Sequence, residues 1–171
     1  SMGDGLSCAE AVSSRGSHPG NKVDTGAKGL AHHSGEKITD GLDGLRGRCA
    51  EYFALGARFA KWRAVIRIAE GMPSAACVST NAHALARYAA ICQEQGLVPI
   101  IEPEILMDGS HDAQRCYDVT AETLDATFAA CAEHGIHIPG ALLTPNMITA
   151  GNDCPDQISR EEVARMAVDL S

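Results

Sequence analysis

The sequence predicts an α/β fold in which parallel strands are joined by crossover helices, and three observations predict it. Two long segments, 74–95 and 113–134, place apolar residues at helical spacing, and each is closed by a glycine, Gly96 or Gly135. Short apolar runs at 58–67, 97–106 and 141–144 alternate with those helices. Charged residues stand two apart within two of these runs, the period of a strand with two unlike faces. A strand–helix–strand rhythm means parallel neighbours, since antiparallel ones can be joined by tight turns. About four such units fit the chain. They suit either a doubly wound sheet or part of a (β/α) barrel, whose complete form needs eight.

Residues 1–20 end in Ser-Arg-Gly-Ser-His-Pro-Gly, show no sustained period and are expected to be loose, with the domain proper over 21–171. Lys22-Val23-Asp24 is a candidate short strand, although Pro19, Gly20 and Asn21 before it are poor strand formers. Residues 25–40, rich in Gly, His, Ser and Thr, read as a loop. The stripe Leu42, Leu45, Cys49 and Phe53 predicts a helix over 42–55, weakened by Gly44 and Gly47. The strand at 58–67 follows, and then helix 74–95, which lines one face with Val78, Ala82, Leu85, Ala89 and Cys92. The strand at 97–106 is apolar apart from Glu102 and Glu104, and residues 107–112 form the turn before helix 113–134. Ala141 to Thr144 makes a short strand ended by Pro145. Ser159-Arg-Glu-Glu162 is a capping box for a last helix.

A chain of 171 residues supports one domain with a real core, and 45% hydrophobic with 21% charged residues is ordinary globular composition. A net charge of −8 and a pI near 5.3 disfavour a general polyanion-binding surface, so nucleic acid is not an expected partner. No run approaches the roughly 20 apolar residues that span a membrane, and no membrane partner is expected. Ser1-Met2-Gly3, followed by Asp4 and Cys8, has neither the basic start nor the apolar stretch of a secretory signal. The seven cysteines are odd in number and scattered, and four fall in helix-like patterns. They read as free thiols used as small core residues, which points to a reducing cytoplasm. The histidines lack the spacing of a zinc site, and Gly41, Gly44 and Gly47 precede no strand-to-helix phosphate turn, so no metal or cofactor is expected.

The chemistry lies in charges set within otherwise apolar strands. In Lys61-Trp62-Arg63 the two cations share one face and Trp62 takes the other; in Glu102-Pro103-Glu104 both carboxylates share a face. Charges withdrawn from water without a partner cost several kcal/mol, so the four must pair internally or face a polar cavity. One reading is a structural ion-pair network. The other is a functional site at the C-terminal ends of the strands, where α/β proteins place their ligands. Two carboxylates beside a lysine suit proton shuttling, because their mutual repulsion raises one pKa while the cation lowers the other.

Several segments in register resemble the barrel-strand motifs of class I fructose-bisphosphate aldolases. They are Phe59-Ala-Lys-Trp-Arg63, Val98-Pro-Ile-Ile-Glu-Pro-Glu-Ile-Leu106 and Leu142-Leu-Thr-Pro-Asn-Met147. Lys22-Val-Asp24, Gly41-Leu-Asp-Gly-Leu45 and Leu85-Ala-Arg-Tyr-Ala89 fit in the same order, over about Val12 to Gly151. The resemblance implies a (β/α)8 barrel family, here about four consecutive units. It implies a glycolytic carbon–carbon lyase that cleaves fructose 1,6-bisphosphate to dihydroxyacetone phosphate and glyceraldehyde 3-phosphate, so the expected small-molecule partner is a sugar phosphate. It implies roles by position. Glu102 is the main acid/base residue, Glu104 supports Schiff-base formation and dehydration, and Lys61 contacts substrate hydroxyls and the carbinolamine. Lys22, Asp24 and Arg63 belong to substrate binding, while Trp62 and Asn146 are architectural.

One position departs from the family pattern. Thr144 stands where the family carries the lysine whose amine forms a Schiff base with the ketose carbonyl. That iminium is the electron sink for C–C cleavage, and threonine cannot form it. Impaired activity is therefore expected, with a non-catalytic aldolase-like fragment that binds sugar phosphates or protein as the alternative. The resemblance places further strands before residue 1 and after residue 171, and it leaves two sheet edges open in this segment. Self-association or a complementary fragment is expected to cover them; a clean monomer in sedimentation, well protected from hydrogen exchange, would count against that.

Overall fold

The computed structural model describes residues 8–14 and 16–170. The elements follow the order α1 Cys8–Ser13, β1 Gly20–Lys22, β2 Gly26–Gly29, β3 Lys37–Asp40, α2 Leu45–Ala54 and β4 Phe59–Ile66. After these come α3 Ala75–Glu94, β5 Val98–Ile105, α4 Ala113–Glu133, a short 3-10 turn at Ile138–Gly140, β6 Leu142–Leu143 and α5 Arg160–Asp169. Strands β1, β4, β5 and β6 form one sheet in that order, each pair parallel. Every strand of this sheet pairs with the next one along the chain, and the order never reverses. Right-handed crossovers then bring successive helices onto the same face, as in a barrel wall. A doubly wound sheet would need a reversal point. The chain is therefore part of a (β/α) barrel.

Alternation along β4 and β5 sets the core. Ala60, Trp62, Ala64 and Ile66 of β4, with Ile101 and Ile105 of β5, are buried. The predicted apolar face of α3, from Val78 to Cys92, is buried as well. Trp62 and Tyr88 are fully buried and stacked, with ring centroids 5.5 Å apart. The Tyr88 hydroxyl donates toward Ala60 O at 2.7 Å and Ile100 O at 3.0 Å, which ties α3 to both central strands. A second cluster of Ile66, Ile68, Cys77, Ile105, Cys116, Val119 and Ile148 closes the other end of the sheet. The long helices start where their caps dictate. Ser74 Oγ accepts from Cys77 N at 3.1 Å, and Asp112 Oδ1 accepts from Arg115 N at 2.7 Å.

Several local expectations change. Residues 25–40 are not a loop throughout, because β2 and β3 form an antiparallel hairpin pairing Gly26 with Asp40 and Gly29 with Lys37. Distant groups hold it. The buried Glu36 carboxylate accepts from Ser74 N at 2.7 Å and from Ser74 Oγ at 2.6 Å. Thr39 Oγ1 donates to Arg63 O at 2.8 Å, and Asn81 Nδ2 donates to Lys37 O at 2.9 Å. The first strand is Gly20–Lys22 rather than 22–24, and the residues judged poor strand formers begin it. Pro19 needs no N–H there, since its carbonyl accepts from Arg58 N at 2.9 Å. Gly20 lies under Phe59, where a Cβ would fall 2.3 Å from the ring.

Half of the expected capping box forms at α5. Ser159 Oγ accepts from Glu162 N at 3.2 Å, but the Glu162 carboxylate turns to Arg165 at 3.5 Å. Helix α1 lies within the segment expected to be loose; residues 1–7 and 15 of that segment, and the terminal Ser171, lie outside the described residues. Five cysteines, Cys49, Cys77, Cys92, Cys116 and Cys131, are free and buried, as expected for small core residues. Among the described residues no helix is long and apolar enough to cross a membrane.

Candidate active site

The face of the sheet turned away from the helices carries the strand charges. Register places Lys61 opposite Ile100, Arg63 opposite Glu102 and Val65 opposite Glu104. Each cation reaches diagonally to the carboxylate two residues further along the neighbouring strand. Lys61 Nζ lies 3.0 Å from Glu102 Oε2, and Arg63 Nε donates to Glu104 Oε2. Lys22, directly opposite Lys61, turns to Asp24. Three cation–carboxylate pairs thus run across β1, β4 and β5. Their pairing answers the desolvation cost that isolated strand charges would carry.

The pairs step along the strands toward their C-terminal ends, and Lys22 is the last residue of β1. Lys61 is the third residue of β4 (Phe59–Ile66) and Arg63 the fifth, while Glu102 is the fifth of β5 (Val98–Ile105) and Glu104 the seventh, so of the four only Lys61 departs from the expected placement in the C-terminal halves of the strands. A charged side chain is tolerated there because the face is open: Lys61 keeps 40% and Arg63 43% of its side chain exposed. Glu102 is more enclosed at 18%, and its Oε2 has the Lys61 charge beside it without the alignment of a hydrogen bond. A carboxylate so placed can exchange a proton with a ligand on the open side while staying next to a cation.

Thr144 joins this row. Its N–H donates to Ile101 O at 3.0 Å, continuing the β5–β6 ladder by one step. Ile101 pairs with Leu143, the last residue of β6; the same register carried one step on would set the exposed Thr144 opposite Glu102, on the open face. Asn146 follows, and its Oδ1 accepts from Ile105 N at 3.0 Å, fastening the chain beyond β6 to the end of β5.

Asp24 plays a part the sequence does not reveal. Its side chain is only 2% exposed. Besides Lys22 it accepts from Gly26 N at 3.1 Å and Arg63 N at 3.4 Å. It organises the neighbouring groups from within, rather than presenting itself to a ligand. Gly41 makes room for it: at φ +130°, a Cβ there would meet Thr25 N at 2.9 Å and Asp24 Cα at 3.0 Å. Arg48 was also missed. It donates to Val23 O at 2.9 Å and to Gly41 O, so α2 clamps the strand end that carries Lys22 and Asp24. No motif signals either role, because apart from Lys22 the partners are backbone groups brought together by folding.

The loop after β5 contains His111, whose two ring nitrogens are shielded from solvent without a hydrogen-bond partner. Burial holds its pKa down; Asp112 opposes this and Arg115 adds to it. The native state therefore favours the neutral ring relative to the unfolded chain, where the value is about 6.5. Its contribution is complete above the unfolded pKa and is lost as the pH falls from there toward the depressed native value. The thermal midpoint is expected to fall less between pH 7 and pH 5 in His111→Phe than in the unaltered chain. Parallel pH profiles would rule His111 out as a source of the acid sensitivity.

Comparison with known proteins shows the family. The family model described as fructose-bisphosphate aldolase class-I matches residues 1–170. A probable fructose-bisphosphate aldolase class 1 from Xanthomonas axonopodis pv. citri is 54% identical over 165 residues, covering 96% of this chain and 49% of the relative. Fructose-bisphosphate aldolase C-B of Danio rerio is 50% identical over 96% of this chain and 46% of its own length. The solved fructose-bisphosphate aldolase of Plasmodium falciparum, in complex with TRAP and a small-molecule inhibitor, superposes with a TM-score of 0.96 at 42% identity. That match covers 99% of this chain and 50% of the solved one. The chain thus spans about half the length of the curated relatives it matches, and that half includes the paired charges and the position of Thr144. On these matches, and on the barrel-segment topology, the chain belongs to the class I fructose-bisphosphate aldolase family.

Proposed function

We propose that this chain carries the acid–base and substrate-holding face for cleavage of fructose 1,6-bisphosphate, but lacks the amine that starts the covalent reaction. The observation that carries this reading is the row Lys61–Glu102–Thr144 on the open face of β4, β5 and the end of β6. Glu102 is the acid/base group, partly enclosed beside Lys61 on the open face of the sheet. Glu104 assists it. Lys61 contacts substrate hydroxyls, and Lys22 and Arg63 bind phosphate, with Asp24 setting the position of Lys22. To engage a phosphate, Arg63 must exchange Glu104 for the ligand, so binding frees a carboxylate beside Glu102. Breaking the C–C bond requires removing a hydroxyl proton and delocalising the bond's electrons. Glu102 supplies the first requirement, and Thr144 leaves the second unmet. The expected phenotype is sugar-phosphate binding with little or no turnover, in the reducing cytoplasm that five buried free thiols suit.

The test pairs two measurements on the full chain. Calorimetry with fructose 1,6-bisphosphate should register binding, while borohydride reduction with dihydroxyacetone phosphate should leave the protein mass unchanged. A reduced adduct on the unaltered chain would overturn the reading, because another lysine would be serving as nucleophile. Absence of bisphosphate binding would overturn the substrate-holding role of the charged face.

A further inference from the structure

We propose that His83 and His134 form a divalent-metal site on the helix side of the sheet, with zinc as the ion that fits it, clasping the end of α4 to α3. The two residues are 51 positions apart, so no spacing rule brings them together in the sequence. In the fold, His83 Nδ1 lies 3.5 Å from His134 Nε2, with ring centroids 5.7 Å apart and ring planes at 67°. That separation is beyond the usual range of a hydrogen bond from nitrogen. It suits two ligands of one metal ion. With Zn–N bonds of about 2.0–2.1 Å, nitrogens 3.5 Å apart subtend an angle of about 117° at the metal, close to the tetrahedral value of about 109°. A cis pair on a square-planar ion would need nitrogens about 2.9 Å apart, so the spacing favours zinc over copper(II) or nickel(II).

Both imidazoles stand on well-anchored backbone. His83 lies in α3 between the buried Ala82 and Ala84. His134 is the C-cap of α4, and its N–H donates to Ala130 O at 3.0 Å. Ala82 and Ala130 line the groove between the two helices, and such small side chains leave room for the helices to approach until the rings meet. The torsion that turns a histidine ring is soft, so both lone pairs can be brought onto a common point without moving either helix.

The surroundings attract a dication. His83 borders two grooves that are lined by the carboxylates of Asp40, Asp43, Glu122 and Glu133 against a single guanidinium, Arg87. The C-terminus of α4 adds the negative end of its dipole, and its last turn has no basic residue to offset that charge. Among the described residues no third His, Cys, Asp or Glu completes a ligand set with the pair, so water fills the remaining positions. Structural zinc sites are closed by four protein ligands, whereas this one stays open and its zinc exchanges with the solution. The pair comes together only when α3 and α4 are packed, so bound zinc holds the two helices in place.

The experiment titrates the metal-free full chain with zinc chloride by calorimetry at neutral pH. It uses a Cys8→Ser, Cys154→Ser background, which leaves the five buried thiols as the remaining cysteines. The expected result is one zinc bound per chain. His83→Ala and His134→Ala should each weaken binding by at least about tenfold, since changes merely around a metal's ligands already cost that much. Magnesium chloride should not compete, because magnesium takes oxygen ligands. A second measurement needs no substitution of either histidine: zinc should shield His83 and His134 from diethyl pyrocarbonate, read by peptide mass spectrometry, while the exposed His32 and His137 stay reactive. Absence of zinc binding, binding that survives either histidine substitution, or shielding that misses one of the pair would overturn the proposal.

Discussion

Thr144→Lys is expected to give this chain a borohydride-trappable adduct with dihydroxyacetone phosphate at residue 144, where the unaltered chain forms none. The site is ready for the longer side chain. Thr144 is exposed on the open face, and its backbone is already fixed by the bond to Ile101 O. Carried one step past Leu143, the register would set a lysine there opposite Glu102, which holds Lys61 on its other side. Neighbouring positive charge lowers an amine's pKa and raises its free-base fraction, while Glu102 can move the proton that dehydration requires. A well-oriented group acts at an effective concentration of about 10⁵ M or more, and a misplacement of about 1 Å costs roughly 10²-fold. Even with imperfect placement, trapping at residue 144 should therefore run about 10³-fold faster than with a free amine at about 1 M in solution. Thr144→Arg, which adds the charge without a nucleophilic amine, should trap nothing. If Thr144→Lys still binds dihydroxyacetone phosphate but forms no adduct, position 144 does not face the reacting carbonyl and the assignment of this face fails.

Trp62→Ala should be among the most damaging single truncations in the central core. Trp62 is fully buried, lies between the charged residues Lys61 and Arg63, and stacks on Tyr88. Removing so large a buried ring costs about 3–5 kcal/mol. For a domain of this size that is a fall of roughly 6–20 °C in the thermal midpoint, read by circular dichroism. Trp62→Phe should behave very differently. The indole N–H is buried without a hydrogen-bond partner, so phenylalanine removes an unsatisfied donor worth about 1–3 kcal/mol while it gives up part of the ring volume. The two effects oppose each other, and a net change within about 1 kcal/mol is expected. A Phe variant as unstable as the Ala variant would show that the N–H has a partner when the protein is in solution.

Whatever depended on local periodicity was legible in the sequence. The faces of β4 and β5 follow from a period of two, and that alone separated Lys61 and Arg63 from Trp62 and put Glu102 with Glu104. Helices α3 and α4 were readable from their apolar spacing and the glycines that end them, while the Ser74 and Asp112 caps emerged from the structure. The motif order from Lys22 to Met147 was readable too, and with it the family.

Register and reach belong to the tertiary structure. No periodicity in one strand can say which residue of the next strand lies opposite, so the diagonal pairing of Lys61 with Glu102 and Arg63 with Glu104 appeared only in the sheet. The same holds for the β2–β3 hairpin, whose turn-rich residues are held by Ser74, Asn81 and the Arg63 carbonyl. It holds for Asp24, a carboxylate turned inward by backbone donors from Gly26 and Arg63. The sequence by itself determined which groups the chain carries and which face of its own element each one occupies, because those depend on residues a few positions apart. Which groups meet was decided by the fold, because contacts across strands and between helices depend on how the whole core packs.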